Sequence, residues 1–159
     1  MIIILHNIRS LHNVGSIFRT ADAAGIKKIY LTGITSTPYD RLGRPRAQLT
    51  KVSLGAEKTV EWEYVKSSST LLKKLKCEKY KILAIEQHQQ SIFYYNLKAK
   101  SYKLDKVALV LGNEIKGLSS SILKRCDNIL EIPMAGKKES LNVAVAFGIV
   151  AFGLIWRNK

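Results

Sequence analysis

The chain has 159 residues, with 26 Lys+Arg against 12 Asp+Glu, which leaves a formal charge of +14. That length fits one compact domain, and 47% hydrophobic with 24% charged residues excludes wholesale disorder. So much charge on so small a body repels itself unless a polyanion is near, which makes nucleic acid the first expected partner, ahead of an anionic membrane surface and of plain solubility.

In chain order, Ile2-Ile3-Ile4-Leu5 reads as a strand buried on both faces. After a polar stretch from His6 to His12, Asn13 is expected to cap a helix in which Val14, Ile17, Phe18 and Ala21 recur at helical spacing. Gly25 suits the position just past its end, and Ile26 to Leu31 the next strand. Strand, helix, strand in so short a span is a βαβ unit, the mark of a parallel sheet. Thr32 to Gly55 carries Gly33, Pro38, Gly43 and Pro45 together with Arg41, Arg44, Arg46 and Lys51, and reads as a basic, mobile loop.

A short strand is expected over Glu61 to Val65, a serine-opened helix over Ser67 to Lys76 and a strand over Lys81 to Ile85, with residues 92–96 open. Val107 to Leu111 is a buried strand running into Gly112-Asn113-Glu114. Ser119 caps a short helix through Arg125, and Ile129 to Ile132 is a last strand stopped by Pro133. The final helix, about Asn142 to Arg157, is apolar nearly all round and should be buried on most faces. Its apolar stretch, Val143 to Trp156, is too short to span a membrane. No internal repeat or low-complexity linker interrupts the chain, so a single α/β domain over residues 1–159 is expected.

Cys77 and Cys126 stand far apart, and His6, His12 and His88 lack ligand spacing, so neither a disulfide framework nor a metal site is expected. Free thiols and the absence of a signal-like start after Met1 suit a cytoplasmic protein.

Three segments carry candidate chemistry. The first is Asn7-x-Arg9-x-x-x-Asn13-x-Gly15-x-x-x-Arg19, where Asn13 and Arg19 are not on one helix face but could both approach a cleft beyond the first strand. Taken alone it could equally be a cap and a solvated arginine. The second, Leu111-Gly112-Asn113-Glu114-x-x-Gly117-Leu118-Ser119, ends a buried strand in a glycine that lets a ligand approach the backbone, yet an ordinary strand-to-helix turn fits too. It is not the dinucleotide fingerprint, because G-x-G-x-x-G occurs nowhere in the chain. The third, Ile132-Pro133-Met134 followed by Glu139-Ser140-Leu141-Asn142-Val143, opens the last helix and offers unpaired N–H groups.

In this order and spacing the three together resemble the sequence motifs of the SpoU/TrmH family of RNA ribose 2′-O-methyltransferases, in the SPOUT superfamily. Asn13, Gly15 and Arg19 match the first motif, Gly112, Asn113, Glu114, Gly117 and Leu118 the second, and Pro133, Ser140, Leu141 and Asn142 the third. Two positions depart from the pattern. Ile115 stands where many members carry a glycine, and would be strained if that site needs a positive φ; Ala144 replaces a common serine.

The resemblance implies a mostly parallel sheet flanked by helices, with a C-terminal deep trefoil knot. It implies S-adenosylmethionine held by Leu111, Gly112, Asn113, Ile132, Met134, Leu141 and Asn142, with Gly112 required because a side chain would fill the adenosine's space. It implies methyl transfer to a ribose 2′-hydroxyl of RNA, with Arg19, Asn13, Glu114, Ser140 and Asn142 as the catalytic set. A guanidinium holds its proton too firmly to be a free base. Arg19 is therefore expected to grip the hydroxyl and the adjacent phosphate, with Asn13 orienting it and Glu114 holding Arg19 or nearby backbone. It further implies a homodimer, with Phe147, Phe152 and Trp156 of the last helix either at its interface or in the core.

No appended RNA-binding module is expected, so the domain should read RNA itself, through Arg9, Arg19, Arg41, Arg44, Arg46 and Lys51. Further basic runs lie over Lys66 to Lys81 and over Lys98, Lys100, Lys103 and Lys106, with Tyr39, Tyr94, Tyr95 and Tyr102 nearby to stack on bases or simply to pack. Minimal members of the family point to tRNA, with rRNA the alternative substrate. A catalytically silent RNA-binding protein and an α/β enzyme for a small anionic substrate are the rival classes.

Overall fold

Four aliphatics in a row, Ile2 to Leu5, become the buried part of β1 (Ile2–His6). Such a run is stable only with both faces covered. β1 is flanked by β2 (Lys28–Thr32) on one side and β6 (Val107–Leu111) on the other, both parallel to it. With β3 (Glu61–Val65), β4 (Lys81–Ile85), the two-residue β5 (Ile92–Phe93) and β7 (Asn128–Glu131), they form a seven-stranded sheet in the order β3-β2-β1-β6-β4-β7-β5. Every pairing in it is parallel. The computed structural model describes residues 1–98 and 103–157, so Lys100 and Tyr102 lie outside the described residues.

The period of two in β1 divides the core. Ile3 and Leu5 pack on one face with α1 (Leu11–Ala23) and α6 (Val143–Trp156), through Val14, Ile17, Phe18, Phe147 and Val150. Ile2 and Ile4 face α4 (Ser68–Cys77) and α5 (Ser120–Leu123), through Leu71, Leu72, Leu75, Ile122 and Leu123. The architecture is three layers, helix on sheet on helix.

Two expectations are corrected. The cap of α1 is Ser10, whose Oγ accepts from Asn13 N at 3.3 Å, because the Asn13 side chain is engaged elsewhere. Thr32 to Gly55 is not a mobile loop. Asp40 Oδ1 pins a tight turn by accepting from Leu42 N at 2.8 Å and Arg44 N at 2.9 Å, and α2 (Ala47–Ser53) follows, with Leu49 fully buried. α2 crosses α1 so closely that a Cβ on Gly15 would lie 2.5 Å from Leu49 O, which explains the first-motif glycine. Between α2 and β3 lies one further turn of helix, α3 (Ala56–Thr59). Finally, the burial of α6 leaves one outward strip: Phe147 is core and Ile149 and Phe152 are half-buried, whereas Val145 (51% exposed) and Trp156 (64%) face outward. Gly25, with φ +69°, does end α1, and Ile26 N returns to Ala21 O at 2.9 Å.

Candidate active site

All strands run the same way, so the segments that follow β1, β4, β6 and β7 meet along one edge, where open parallel sheets take their ligands. A cavity of about 300 Å³ opens there, a size in the range of small-molecule sites. All seven residues expected to hold the cofactor line it: Leu111, Gly112, Asn113, Ile132, Met134, Leu141 and Asn142. Asn13, Glu114 and Ser140 line it as well. Arg19 does not. It is exposed on α1, about 9 Å further along the helix and about 120° round from Asn13.

Glu114 binds the first two motifs together. Its Oε2 accepts from Arg9 N at 3.0 Å, and its Oε1 from Ser10 N at 3.0 Å and from Asn13 Nδ2 at 3.0 Å. Partial burial pushes this carboxyl up, but those hydrogen bonds together pull it below its ordinary value. Glu114 thus receives the otherwise unpaired donors at the start of α1, where a negative charge also suits the helix dipole. Asn13 Oδ1 in turn accepts from Asn142 Nδ2 at 2.9 Å, and Asn142 Oδ1 caps α6 by accepting from Ala144 N at 2.9 Å. Since each amide has its donor and acceptor fixed by a partner, the chain Glu114–Asn13–Asn142 has one orientation.

Asn113 organises the turn after β6. Its Oδ1 accepts from Ile115 N at 3.0 Å and Lys116 N at 2.9 Å, while its Nδ2 donates to Asn7 O at 2.9 Å. Among the described residues other than glycine, only Asn7, Leu54 and Lys79 have positive φ, so Ile115 fits its place without backbone strain. The positive φ falls instead on Gly117, at +61°. Gly112 has a reason of its own besides the expected one. A Cβ there would meet Gly117 C at 2.6 Å and Leu118 Cγ at 2.7 Å, so the glycine is required by the folded-back turn, before any ligand is considered.

The sequence reading missed Glu86. It follows β4 directly, lines the cavity, and accepts from Leu118 N at 2.8 Å and Gln87 N at 3.0 Å. A polar residue just past a buried parallel strand is the signal that could have found it. Of the residues expected to bind RNA, Arg41, Arg44 and Lys51 are exposed, while Arg46 is half-buried at the start of α2 with its Nε unpartnered. Arg9 is exposed beside the cavity edge, in a second hollow with Asn7, Ile34, Ile115 and Lys116. Among the tyrosines, Tyr39 stacks on Trp62, Tyr94 packs against α6 near Gly153, and Tyr95 is exposed.

His6 lies at the end of β1. Its Nδ1 is 2.6 Å from Ser68 Oγ and its Nε2 is 3.0 Å from Asn7 Nδ2. Asn7 Oδ1 is committed to Ile34 N at 3.0 Å, so the amide nitrogen must face His6 and the imidazole must accept at Nε2. The neutral ring is the one that fits, and burial lowers its proton affinity accordingly.

A parallel α/β domain with three distant sequence motifs gathered on one cofactor-sized cavity defines a small class of folds. The chain belongs to the family described as the SpoU rRNA Methylase family, whose sequence profile matches residues 1–152. It is 33% identical over its whole length to the "23S rRNA (guanosine-2'-O-)-methyltransferase RlmB" of Blochmanniella floridana, and spans 58% of that relative. Among solved structures, the TrmH/SpoU tRNA modifying enzyme of A. aeolicus superposes with a TM-score of 0.82 at 27% identity, covering 99% of this chain and 74% of the other. An AdoMet-bound rRNA methyltransferase from Sinorhizobium meliloti gives 0.83 at 26% identity, covering 98% and 56%.

Proposed function

We propose that the chain transfers a methyl group from S-adenosylmethionine to a ribose 2′-hydroxyl of RNA, with rRNA favoured as substrate. The observation that carries this reading is the convergence of all seven expected cofactor residues on one cavity at the carboxyl edge of the sheet. The relative from Blochmanniella floridana, a 23S rRNA methyltransferase, supports rRNA over the tRNA expected from the sequence. The A. aeolicus neighbour keeps tRNA as an outcome to be tested.

The cavity suits the cofactor chemically. Leu111, Ile132, Met134 and Leu141 offer apolar surface for an adenosine, and Asn142 and Ser140 offer polar contacts at its rim. Bound there, S-adenosylmethionine supplies an electrophilic methyl group. The acceptor hydroxyl needs to be oriented and to lose its proton. Glu114 is a poor base for that proton, being held ionised by three donors, so its role is to fix Asn13 and the start of α1. Asn13, with both amide atoms engaged, positions rather than reacts. Arg19 is the cation we assign to the phosphate beside the acceptor ribose, with that phosphate or water taking the proton.

The same reading includes a homodimer and the knotted threading of the C-terminal segment. The dimer is supported by the outward apolar face of α6, with Val145 and Trp156 exposed. The knot is supported by segments 111–117 and 132–146 lining one cavity.

The test is methyl-labelled S-adenosylmethionine incubated with rRNA and with tRNA, followed by alkaline hydrolysis, since a 2′-O-methyl blocks cleavage at its own nucleotide. Label in an alkali-resistant dinucleotide from rRNA is expected. Cofactor binding without label in either RNA would overturn the reading.

A further inference from the structure

We infer that the second hollow is a subsite for one unstacked nucleotide of the RNA substrate, flanking the nucleotide that is methylated. The inference rests on the proposed RNA methylation. The hollow measures about 470 Å³ and shares Asn113, Ile115 and Gly117 with the first cavity, so the two are separated only by the turn after β6. A nucleotide in one and a cofactor in the other would lie on opposite sides of that turn.

Its chemistry is that of a nucleotide site. Arg9 and Lys116 are both exposed and neither is ion-paired among the described residues. Among the described residues no carboxylate lines the hollow itself; Glu114 touches it only from behind, through Arg9 N, so the charge that faces the hollow is that of Arg9 and Lys116 and favours a phosphate. Ile34 and Ile115 are 64% and 79% exposed, an unusual state for two large aliphatics in the same depression. A base face is an apolar surface of matching size, and the planar Arg9 guanidinium can lie against it or take the phosphate.

The platform is also built in advance. Asn7 Oδ1 holds Ile34 N at 3.0 Å, Asn113 Oδ1 holds Ile115 N at 3.0 Å, and Asn113 Nδ2 joins the two asparagines through Asn7 O at 2.9 Å. Asn7 adopts φ +59°, a left-handed conformation that asparagine tolerates better than most residues. Two asparagines therefore fix the backbone beneath two exposed isoleucines, which limits the ordering still required when a base arrives. Ile115, at 79% exposure, gives the hollow an apolar contact that a glycine at this position would lack.

The experiment uses the full chain and a fluorescein-labelled single-stranded RNA oligonucleotide, read by anisotropy, with cofactor affinity measured separately by calorimetry. The variant Ile34→Ala, at a residue that lines the second hollow but not the first cavity, should bind the oligonucleotide about fivefold more weakly. Its affinity for S-adenosylmethionine should be unchanged, and with rRNA its KM should rise while kcat holds. Lys116→Ala should weaken RNA binding at every sequence and lower the salt slope by about one, whereas the isoleucine variant keeps the slope of the parent. RNA affinity unchanged in both variants overturns the subsite. Oligonucleotide binding that depends on these residues, without methyl transfer to any RNA, would instead uphold the subsite and refute the proposed reaction.

Discussion

Replacing Glu114 with glutamine tests whether this carboxylate is an anchor. Glutamine presents one acceptor oxygen where glutamate presents two. If that oxygen stays with Ser10 N and Asn13 Nδ2, the new NH₂ group faces Arg9 N, donor against donor. A hydrogen bond to a charged group contributes about 1.5–3 kcal/mol. Glu114 is exposed and water can replace part of the loss, so about 1–2 kcal/mol is the reasonable net cost. For a chain of this length that corresponds to a Tm lower by about 2–8 °C.

The sign with pH follows from the depressed proton affinity of the carboxyl. Its contribution is present above the ordinary value of 4.5 and is lost as pH falls through the folded value. Thermal melts of parent and Glu114→Gln should therefore differ at neutral pH and converge in acid. Cofactor affinity should fall with the stability, by about tenfold at most, because the start of α1 lines the same cavity. Equal Tm values at neutral pH, with equal cofactor affinity, would refute the anchor.

Three other outcomes are expected. Arg19→Ala should abolish methyl transfer while leaving calorimetric binding of S-adenosylmethionine intact, since Arg19 does not line the cavity; near-parent turnover would remove its role. Gly112→Ala should lower stability even without ligand, by about 1–3 kcal/mol of overpacking against Gly117 and Leu118, and a variant that melts like the parent but binds no cofactor would point to a purely ligand-driven glycine. His6, with its folded proton affinity lowered by burial, should cost stability as pH falls below its ordinary 6.5, whereas a His6→Gln variant should show a flatter stability profile from pH 7 to 5 in denaturant titrations.

The strands and the long helices were legible because buried parallel strands and amphipathic helices carry their burial in local pattern: Ile2 to Leu5, Val107 to Leu111, and the Val14, Ile17, Phe18, Ala21 series. The motif residues were legible because their spacing matches a family pattern. What stayed hidden depends on partners distant in sequence. Asn13 looks like a cap until Glu114 and Asn142 claim its side chain. At Gly112 the sequence suggests a ligand but not the second constraint, the turn of Gly117 and Leu118 folded back on it. α2 was masked by the neighbouring glycines and prolines, and only its packing on Gly15 makes its short length sufficient. Glu86 carried no motif, and its role comes from the return of Leu118 N to its carboxylate.

The strand order has a consequence for how the protein is made. β2 and β3 can join β1 as soon as they are synthesised, but the other edge of β1 is closed by β6, with Ile2 opposite Ala108. Until about residue 111 has emerged, a growing chain exposes Ile2-Ile3-Ile4-Leu5 along an unpaired strand edge, the kind of surface that recruits foreign strands. The contact of Asn142 with Asn13 comes later still. The edge that carries the cavity is therefore the last part to assemble, and a nascent chain stalled before β6 should depend on a chaperone more than its small size suggests.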